Sequence, residues 1–242
     1  MIIKNIYNEI ITEFEKKINP KRVEKDKYYH KVGNPVSYGL SSPEYYKIIK
    51  KYKHQFKELG TKDILKLAGL FYKSKISEQV YTANYILSLR SDIFTPNNLN
   101  FLDKSLEYFD NWGVIDDFSI HVMQPILIKY PKHTMNLLRK WNKSKNLWKR
   151  RVSVVVFTRK IGESGKFTKE ALELCNRLLD DKEDLVQKGV GWALKDNMRG
   201  NKRLVFDFVK KLRKLKISSV ITLYALRDIN GCERIQVLSS RS

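Results

Sequence analysis

Apolar residues recur at helical spacing from the first residues of the chain onward. The first stripe comprises Ile2, Ile3, Ile6, Tyr7, Ile10, Ile11, Phe14 and Ile18. This i, i+3, i+4 spacing predicts an amphipathic helix, which we expect Asn19-Pro20 to end. A polar stretch that includes Tyr28 and Tyr29 follows. The period therefore predicts an all-α protein.

Helix-start signals repeat along the chain. Ser42 followed by Pro43 predicts an N-cap with proline at the first helical position. Further starts are predicted at Thr61, Thr95-Pro96 and Ser218 or Ser219. Together these starts predict about a dozen helices joined by short polar turns.

Only Val152–Phe157 is β-branched enough to suggest a strand, and an isolated strand has no sheet to join. We therefore predict a buried helical segment there. The chain contains no Gly/Ser-rich or Pro-rich linker, which predicts a single domain over residues 1–242.

Three tryptophans suggest a repeat. Trp112, Trp148 and Trp192, each predicted near a helix start, are separated by 36 and 44 residues, which brackets the roughly 40-residue HEAT-like unit. We therefore predict an α-α superhelix, a solenoid of HEAT-like repeats with a concave basic groove.

The charge balance limits the possible partners. The chain has 47 Lys and Arg residues against 26 Asp and Glu residues, a formal net charge of +21. Such an excess favours a polyanionic partner. With 42% hydrophobic residues the chain is not intrinsically disordered, and its apolar runs are far shorter than the roughly 20 residues of a membrane span.

Metal and disulfide chemistry are not indicated. Cys175 and Cys232 have no nearby second cysteine or histidine, and the four histidines lack ligand spacing. We therefore expect no metal, no cofactor and a reducing compartment. The N-terminal residues mix Lys4 and Glu9 with apolar residues, unlike a secretory signal, so we expect a cytoplasmic, nucleoid-associated protein.

Two basic clusters are candidates for nucleic-acid binding. Residues 139–151 hold seven basic residues, no acidic residue and two tryptophans, a mixture that favours phosphate and sugar contacts. Residues 210–216 are equally well explained as a solvated helix face.

Trp112 and Asp116 are four residues apart and share a face if a helix begins there. A carboxylate facing a phosphate-binding groove favours catalysis over affinity. The alternative is a core tryptophan beside Asp116 or Asp117 acting as a helix cap. Gly189 and Gly191 precede Trp192 and predict close backbone packing, more often against a helix than against a ligand.

These motifs together resemble the HEAT-like-repeat DNA alkylation repair glycosylases of the AlkD type. The similarity runs over nearly the whole chain, from residues 39–44 through residues 111–116 and 146–151 to residues 186–194. In the family, the active site combines a Trp-x-x-x-Asp pair, an arginine three residues after a tryptophan, and the tryptophan of a Gln-Lys-x-x-Gly-Trp run. The matching residues are Trp112, Asp116, Trp148, Arg151 and Trp192.

The resemblance implies hydrolysis of the N-glycosidic bond of N3- or N7-alkylated purines in duplex DNA. It implies a catalytic role for Asp116 and DNA contacts by Trp112, Arg151, Trp192, Arg150, Trp148 and Lys149. The family grips the backbone around the lesion in an open cleft, and no base pocket is indicated.

Several assignments stay open. The family also has an aromatic residue in its N-terminal helices, for which Tyr29 is the nearest candidate if one residue is inserted before Gly39. Asp117 is the alternative carboxylate if the helix starts one residue later. A non-catalytic DNA- or RNA-binding module is the alternative function, and a protein-interaction solenoid is a third. We expect a monomer that does not bind membranes.

Overall fold

The computed structural model describes residues 2–29, 33 and 35–239. In this part of the chain every regular element is helical, and one isolated bridge pairs Val36 with Ile76. The prediction of an all-α protein is confirmed. The chain divides into two compact units, unit 1 (Met1–Tyr130) and unit 2 (Pro131–Ser242). That the two belong to a single domain stays a prediction.

Unit 1 is built from nine described α-helices. They are α1 (Ile2–Glu15), α2 (Pro20–Tyr29), α3 (Ser42–Ile49), α4 (Lys53–Glu58), α5 (Thr61–Lys73), α6 (Ser77–Leu89), α7 (Asn100–Ser105), α8 (Trp112–Phe118) and α9 (Gln124–Lys129). Short 3-10 turns cover Lys50–Tyr52, Ser91–Ile93, Pro96–Asn98 and Leu106–Tyr108, and a π-helical turn covers Ser119–Met123.

Unit 2 contains eight described α-helices. They are α10 (Pro131–Asn142), α11 (Leu147–Val155), α12 (Arg159–Glu163), α13 (Thr168–Asn176), α14 (Asp184–Gly200), α15 (Lys202–Lys214), α16 (Ser219–Ala225) and α17 (Gly231–Ser239). The two units thus hold more helices than the predicted dozen. None of the helices described is long and apolar enough to span a membrane.

The first helix follows the predicted stripe, but the next one was missed. Ile3, Ile6, Ile10 and Phe14 are buried on one face of α1, and burial of that face supplies most of the stability of such a helix. The polar stretch after Asn19 forms α2, which has no buried residue. It therefore carries no apolar stripe from which it could be recognised.

One predicted helix cap is displaced by a residue, and two others lie at predicted positions. Ser41, not Ser42, caps α3: its hydroxyl accepts from the Glu44 amide and its own amide donates to the Glu44 carboxylate. Thr95 caps only a 3-10 turn. Ser218 caps α16, which confirms one of the two residues predicted there.

The β-branched segment of unit 2 is helical from Val152 to Val155, and Val156 and Phe157 form the turn that follows. Residues 152–157 are all 0% exposed, and α11 continues through Val155. Close helix packing accounts for Gly191, because a Cβ there would lie 2.6 Å from the Cβ of Tyr224 on α16. The prediction of backbone packing at this glycine is confirmed, with a helix as the neighbour.

Candidate active site

In unit 1 the predicted Trp112 and Asp116 pair lies on α8. Trp112 is the first residue of the helix, and the Asn111 side chain caps it by accepting from the Val114 amide at 3.1 Å. Both side chains are half-buried. Because they are one helical turn apart, they lie on the same face, as predicted.

Tyr29 joins this pair from α2. Its ring centroid lies 5.5 Å from that of Trp112, with the rings tilted by 52°, and 63% of the residue is exposed. The sequence left this residue unassigned, because matching it to the family's aromatic residue requires an insertion before Gly39. The rings of Tyr29 and Trp112 are in contact, and Asp116 shares the helix face of Trp112. We call these three residues the α8 cluster.

The neighbouring Asp117 has a different environment. One carboxylate oxygen accepts from the buried Asn84 amide at 2.8 Å, and the other lies 2.8 Å from Nδ1 of His121. The Asn84 amide oxygen in turn accepts from the Tyr72 hydroxyl at 2.8 Å. Asp117 is therefore tied to the interior of unit 1, whereas Asp116 shares its helix face with Trp112.

The negative charges of both carboxylates influence the pKa of Tyr81 on α6. Burial raises the pKa of the Tyr81 hydroxyl, and the negative charges of Asp117 and Asp116 raise it further. Tyr81 therefore stays a neutral phenol at physiological pH.

In unit 2, Arg151 on α11 is 5% exposed, and its side chain reaches α14. Its Nη1 donates to the backbone carbonyl of Leu185. A Cβ on Gly189 would lie 3.5 Å from the same Nη1 and 3.3 Å from methyl groups of Val154 and Val155. Gly189 therefore leaves room for the guanidinium group and for the close approach of α11.

All three guanidinium nitrogens of Arg150 donate hydrogen bonds within unit 2. Its Nε and Nη2 donate to the two carboxylate oxygens of Asp181 at 2.6 and 3.2 Å. Its Nη1 donates to the backbone carbonyls of Ser144 and Lys145 at 3.0 and 2.9 Å. The guanidinium group joins the turn before α11 to the segment after α13, so any DNA contact competes with these bonds.

Both tryptophans of residues 139–151 are largely buried in unit 2, and Trp141 completely so. Trp141 is 0% exposed and Trp148 is 7% exposed, while Lys149 is 9% exposed. The interpretation of interleaved aromatic residues as a DNA-contacting surface is therefore wrong for Trp141. Arg139 is also paired, through two bonds to Glu173 at 3.0 and 2.8 Å.

Trp192 is the most exposed of the three tryptophans of unit 2. It is half-buried in the middle of α14, not near a helix start as predicted, and the Arg159 guanidinium carbon lies 5.7 Å from its ring centroid. Arg159 is exposed, has φ +52°, and donates its amide to Asp196 at 2.6 Å. The sequence gave no signal for this pairing, which we call the Arg159–Trp192 pair.

The remaining sequence features are the potential metal ligands and the basic residues 210–216. The described residues contain no group of three or more His, Cys, Asp or Glu side chains that could hold a metal ion; His30 lies outside them. Within residues 210–216, Arg213 is buried and donates to the Thr222 hydroxyl at 3.3 Å, whereas Lys211 and Lys214 are exposed.

The comparisons with known proteins identify the family. The family model described as DNA alkylation repair enzyme matches residues 10–229. The chain belongs to this family. The recognition made from the sequence motifs is thereby confirmed, together with a role in the repair of alkylated DNA. No curated protein matches the chain.

Two solved structures resemble the chain. A predicted DNA alkylation repair enzyme from Enterococcus faecalis superposes with a TM-score of 0.75 at 15% identity, over 89% of this chain and 98% of that one. A protein from Streptococcus mutans gives 0.53 at 22% identity, over 80% and 91%. These likenesses show that this chain shares the all-α helical-repeat fold of the Enterococcus faecalis protein. The concave basic groove and the role of each residue stay predictions.

Proposed function

We propose that this protein is a DNA glycosylase that hydrolyses the N-glycosidic bond of cationic N3- or N7-alkylated purines in duplex DNA. The observation that carries the proposal is Asp116 on the same face of α8 as Trp112, whose ring contacts that of Tyr29, in a chain of net charge +21 from a DNA alkylation repair family. A carboxylate in a strongly basic protein adds nothing to phosphate affinity. It is suited to stabilising positive charge on a reacting sugar.

The chemistry needs no cofactor. An alkylated purine is already positively charged, so it leaves without being protonated. The bond pair goes to the base, which becomes neutral, and positive charge develops on the deoxyribose. A water oxygen then bonds to C1′ and loses its proton, which leaves an abasic site. Asp116 stabilises the sugar cation and orients the water, as carboxylates do in glycoside hydrolysis.

The remaining predicted residues bind DNA. Trp112 and Trp192 each pack on sugar and backbone atoms of the DNA, and Arg151 donates to a phosphate. Further backbone contacts are assigned to Arg150, Trp148 and Lys149. The substrate is double-stranded DNA, and the protein acts as a monomer in the cytoplasm, associated with the nucleoid.

The test is the release of free base from methylated duplex DNA, separated by chromatography. Wild-type protein releases 7-methylguanine or 3-methyladenine. Asp116→Asn lowers the rate at saturating enzyme by about 100-fold or more, because it removes the charge that stabilises the transition state. Asp63→Asn, on the exposed face of α5, is the matched control and keeps the wild-type rate.

Two outcomes would overturn parts of this proposal. Loss of the rate in Asp117→Asn instead of Asp116→Asn would move the catalytic role to Asp117. No release by wild-type protein, with salt-dependent DNA binding retained, would support the non-catalytic binding module.

A further inference from the structure

The basic cluster of residues 210–216 continues along a surface of α15 that the proposed function does not use. This surface, which we call the α15 surface, comprises Arg203, Lys210, Lys211, Lys214 and Lys216. Lys210 is half-buried, and the other four residues are exposed. The four members within the helix lie on the face opposite to the buried Val205, Val209 and Leu212. Their charges therefore face solvent, away from the core of unit 2.

Unit 2 is built from helix pairs, and α15 is not in the layer that holds Arg151 and Trp192. The first helices of the pairs (α10, α13 and α15) begin 34 to 37 residues apart, as do the second helices (α11, α14 and α16). The second helices pack side by side, α11 on α14 and α14 on α16, and they hold Arg151 and Trp192. α15 packs on α14 and α16. Because its buried face makes these contacts, its exposed face is directed away from the layer of second helices.

The lysines of this surface are not neutralised by acidic side chains. Within the described residues, Lys211, Lys214 and Lys216 have no carboxylate oxygen within 4.0 Å, in contrast to the paired arginines of α10 and α11. Asp207 is the one acidic residue of the sequence from 202 to 216. Unpaired cations on one helix face repel one another, and a polyanion outside the chain would relieve that repulsion.

The helix dipole accounts for only part of this charge. Cations in the last turn of a helix interact favourably with the dipole, which explains Lys211 and Lys214. Arg203 lies in the first turn, where the dipole disfavours a cation. Lys216 follows the helix with φ +56°, in the left-handed conformation that favours glycine. A lysine that keeps an exposed charge at a cost in backbone strain is typical of a binding surface.

The chemistry of the surface favours a nucleic-acid backbone over a membrane. An amphipathic helix binds a membrane through its apolar face, and in α15 that face is buried in unit 2. The cations from Arg203 to Lys214 extend over about 16 Å of helix. A DNA duplex presents one negative charge for roughly every 1.7 Å of its axis, so several phosphates face a row of this length.

We propose that the α15 surface binds the phosphate backbone of a second duplex segment, distinct from the segment that contacts Arg151 and Trp192. The inference goes beyond the proposed function, because it requires DNA binding but no release of a base. A protein that holds two duplex segments can pass from one to the other without dissociating fully into solution.

The experiment counts unmodified duplexes of about one helical turn bound to the full chain at low salt, by native mass spectrometry and fluorescence anisotropy. Wild-type protein binds two duplexes. Combining Lys211→Gln, Lys214→Gln and Lys216→Gln weakens binding of the second duplex by about tenfold or more, and makes its salt dependence shallower by about three phosphate contacts. The affinity for the first duplex and the rate of base release stay within about twofold of wild type.

A matched control removes the same net charge elsewhere. It combines Lys17→Gln, Lys62→Gln and Lys182→Gln, three exposed lysines on separate segments. Binding of both duplexes by this variant stays within about twofold of wild type.

A second pair of variants separates a lost contact from misfolding. Lys216→Gly raises the melting temperature, because glycine adopts φ +56° without strain, yet it weakens binding of the second duplex. Lys75→Gly, at φ +60° in unit 1, raises the melting temperature and leaves binding of the second duplex unchanged.

Several outcomes would overturn the inference. These are one duplex per chain for the wild type, an equal loss in the control triple variant, or a loss of affinity for the first duplex in the α15 variant. Binding of phosphatidylglycerol vesicles in place of a second duplex would assign the surface to a membrane instead. Base release with one duplex bound would contradict the second surface alone, whereas two bound duplexes without base release would contradict only the glycosylase.

Discussion

The α8 cluster in unit 1 and the arginine pair Arg150 and Arg151 in unit 2 differ in how strongly their side chains are tied to the rest of the protein. Tyr29 is 63% exposed and Trp112 and Asp116 are half-buried. Arg150 and Arg151 are instead held by bonds to Asp181 and to backbone carbonyls. Substitutions in the α8 cluster should therefore change activity with little effect on stability. Substitutions of Arg150 or Arg151 should change activity and stability together.

The largest expected effect is on the stability of unit 2. Arg150→Ala leaves Asp181, whose side chain is 5% exposed, without its paired cation. We expect the free energy of unfolding to fall by about 3 kcal/mol, because an unpaired buried charge is strongly destabilising. Chemical denaturation measures this change. Lys145→Ala, in the same cluster but exposed, is the control and should stay within about 0.5 kcal/mol of wild type.

A smaller change in the free energy of unfolding, of opposite sign, is expected when two helical glycines are replaced by alanine. At Gly191 an added Cβ would lie 2.6 Å from Tyr224 Cβ and 3.0 Å from the Ile221 carbonyl oxygen, whereas at Gly69 in unit 1 the nearest atom is 3.7 Å away. Gly191→Ala should cost about 1–3 kcal/mol through overpacking. Gly69→Ala should stabilise by up to about 1 kcal/mol through helix propensity. A stabilising Gly191→Ala would contradict the close packing of α14 against α16.

Arg159→Gly should uncouple stability from binding in unit 2. Arg159 has φ +52°, which costs a non-glycine residue about 1 kcal/mol. Glycine removes this strain and keeps the amide bond to Asp196, so the melting temperature should rise slightly. DNA affinity should fall and its salt dependence become shallower, because one cation is lost. Unchanged affinity would show that the Arg159 side chain does not contribute to DNA binding.

The smallest expected change in stability is at Tyr29. Tyr29→Leu should alter the free energy of unfolding by less than about 0.5 kcal/mol, because the side chain is largely exposed. Base release should fall by at least about tenfold through loss of its contact with Trp112. Tyr28→Leu, next to it and 80% exposed, is the control. Equal activity of the two variants would exclude Tyr29 from the site.

The sequence was sufficient where residues repeat at helical spacing. It predicted α1, the helical state of residues 152–155 and the face shared by Trp112 and Asp116, because burial imposes a period that can be read directly. It missed α2, a helix without buried residues, and therefore could not orient Tyr29.

The sequence could not separate exposed cations from paired ones. Residues 139–151 contain no acid, yet Arg139 and Arg150 find Glu173 and Asp181 more than 30 residues later. Pairing over such a distance depends on how helices pack, and spacing does not encode it. For the same reason the burial of Trp141 and the contact between Arg159 and Trp192 became visible only in the structure.

The central claim is that Asp116 supplies chemistry and not affinity. The most direct measurement compares the single-turnover rate of 7-methylguanine release with the dissociation constant for the same duplex, for wild type, Asp116→Asn and Asp63→Asn. We expect Asp116→Asn to lose about 100-fold or more in rate and to bind DNA at least as tightly as wild type. Asp63→Asn should change neither quantity. Release by Asp116→Asn at the wild-type rate would contradict it.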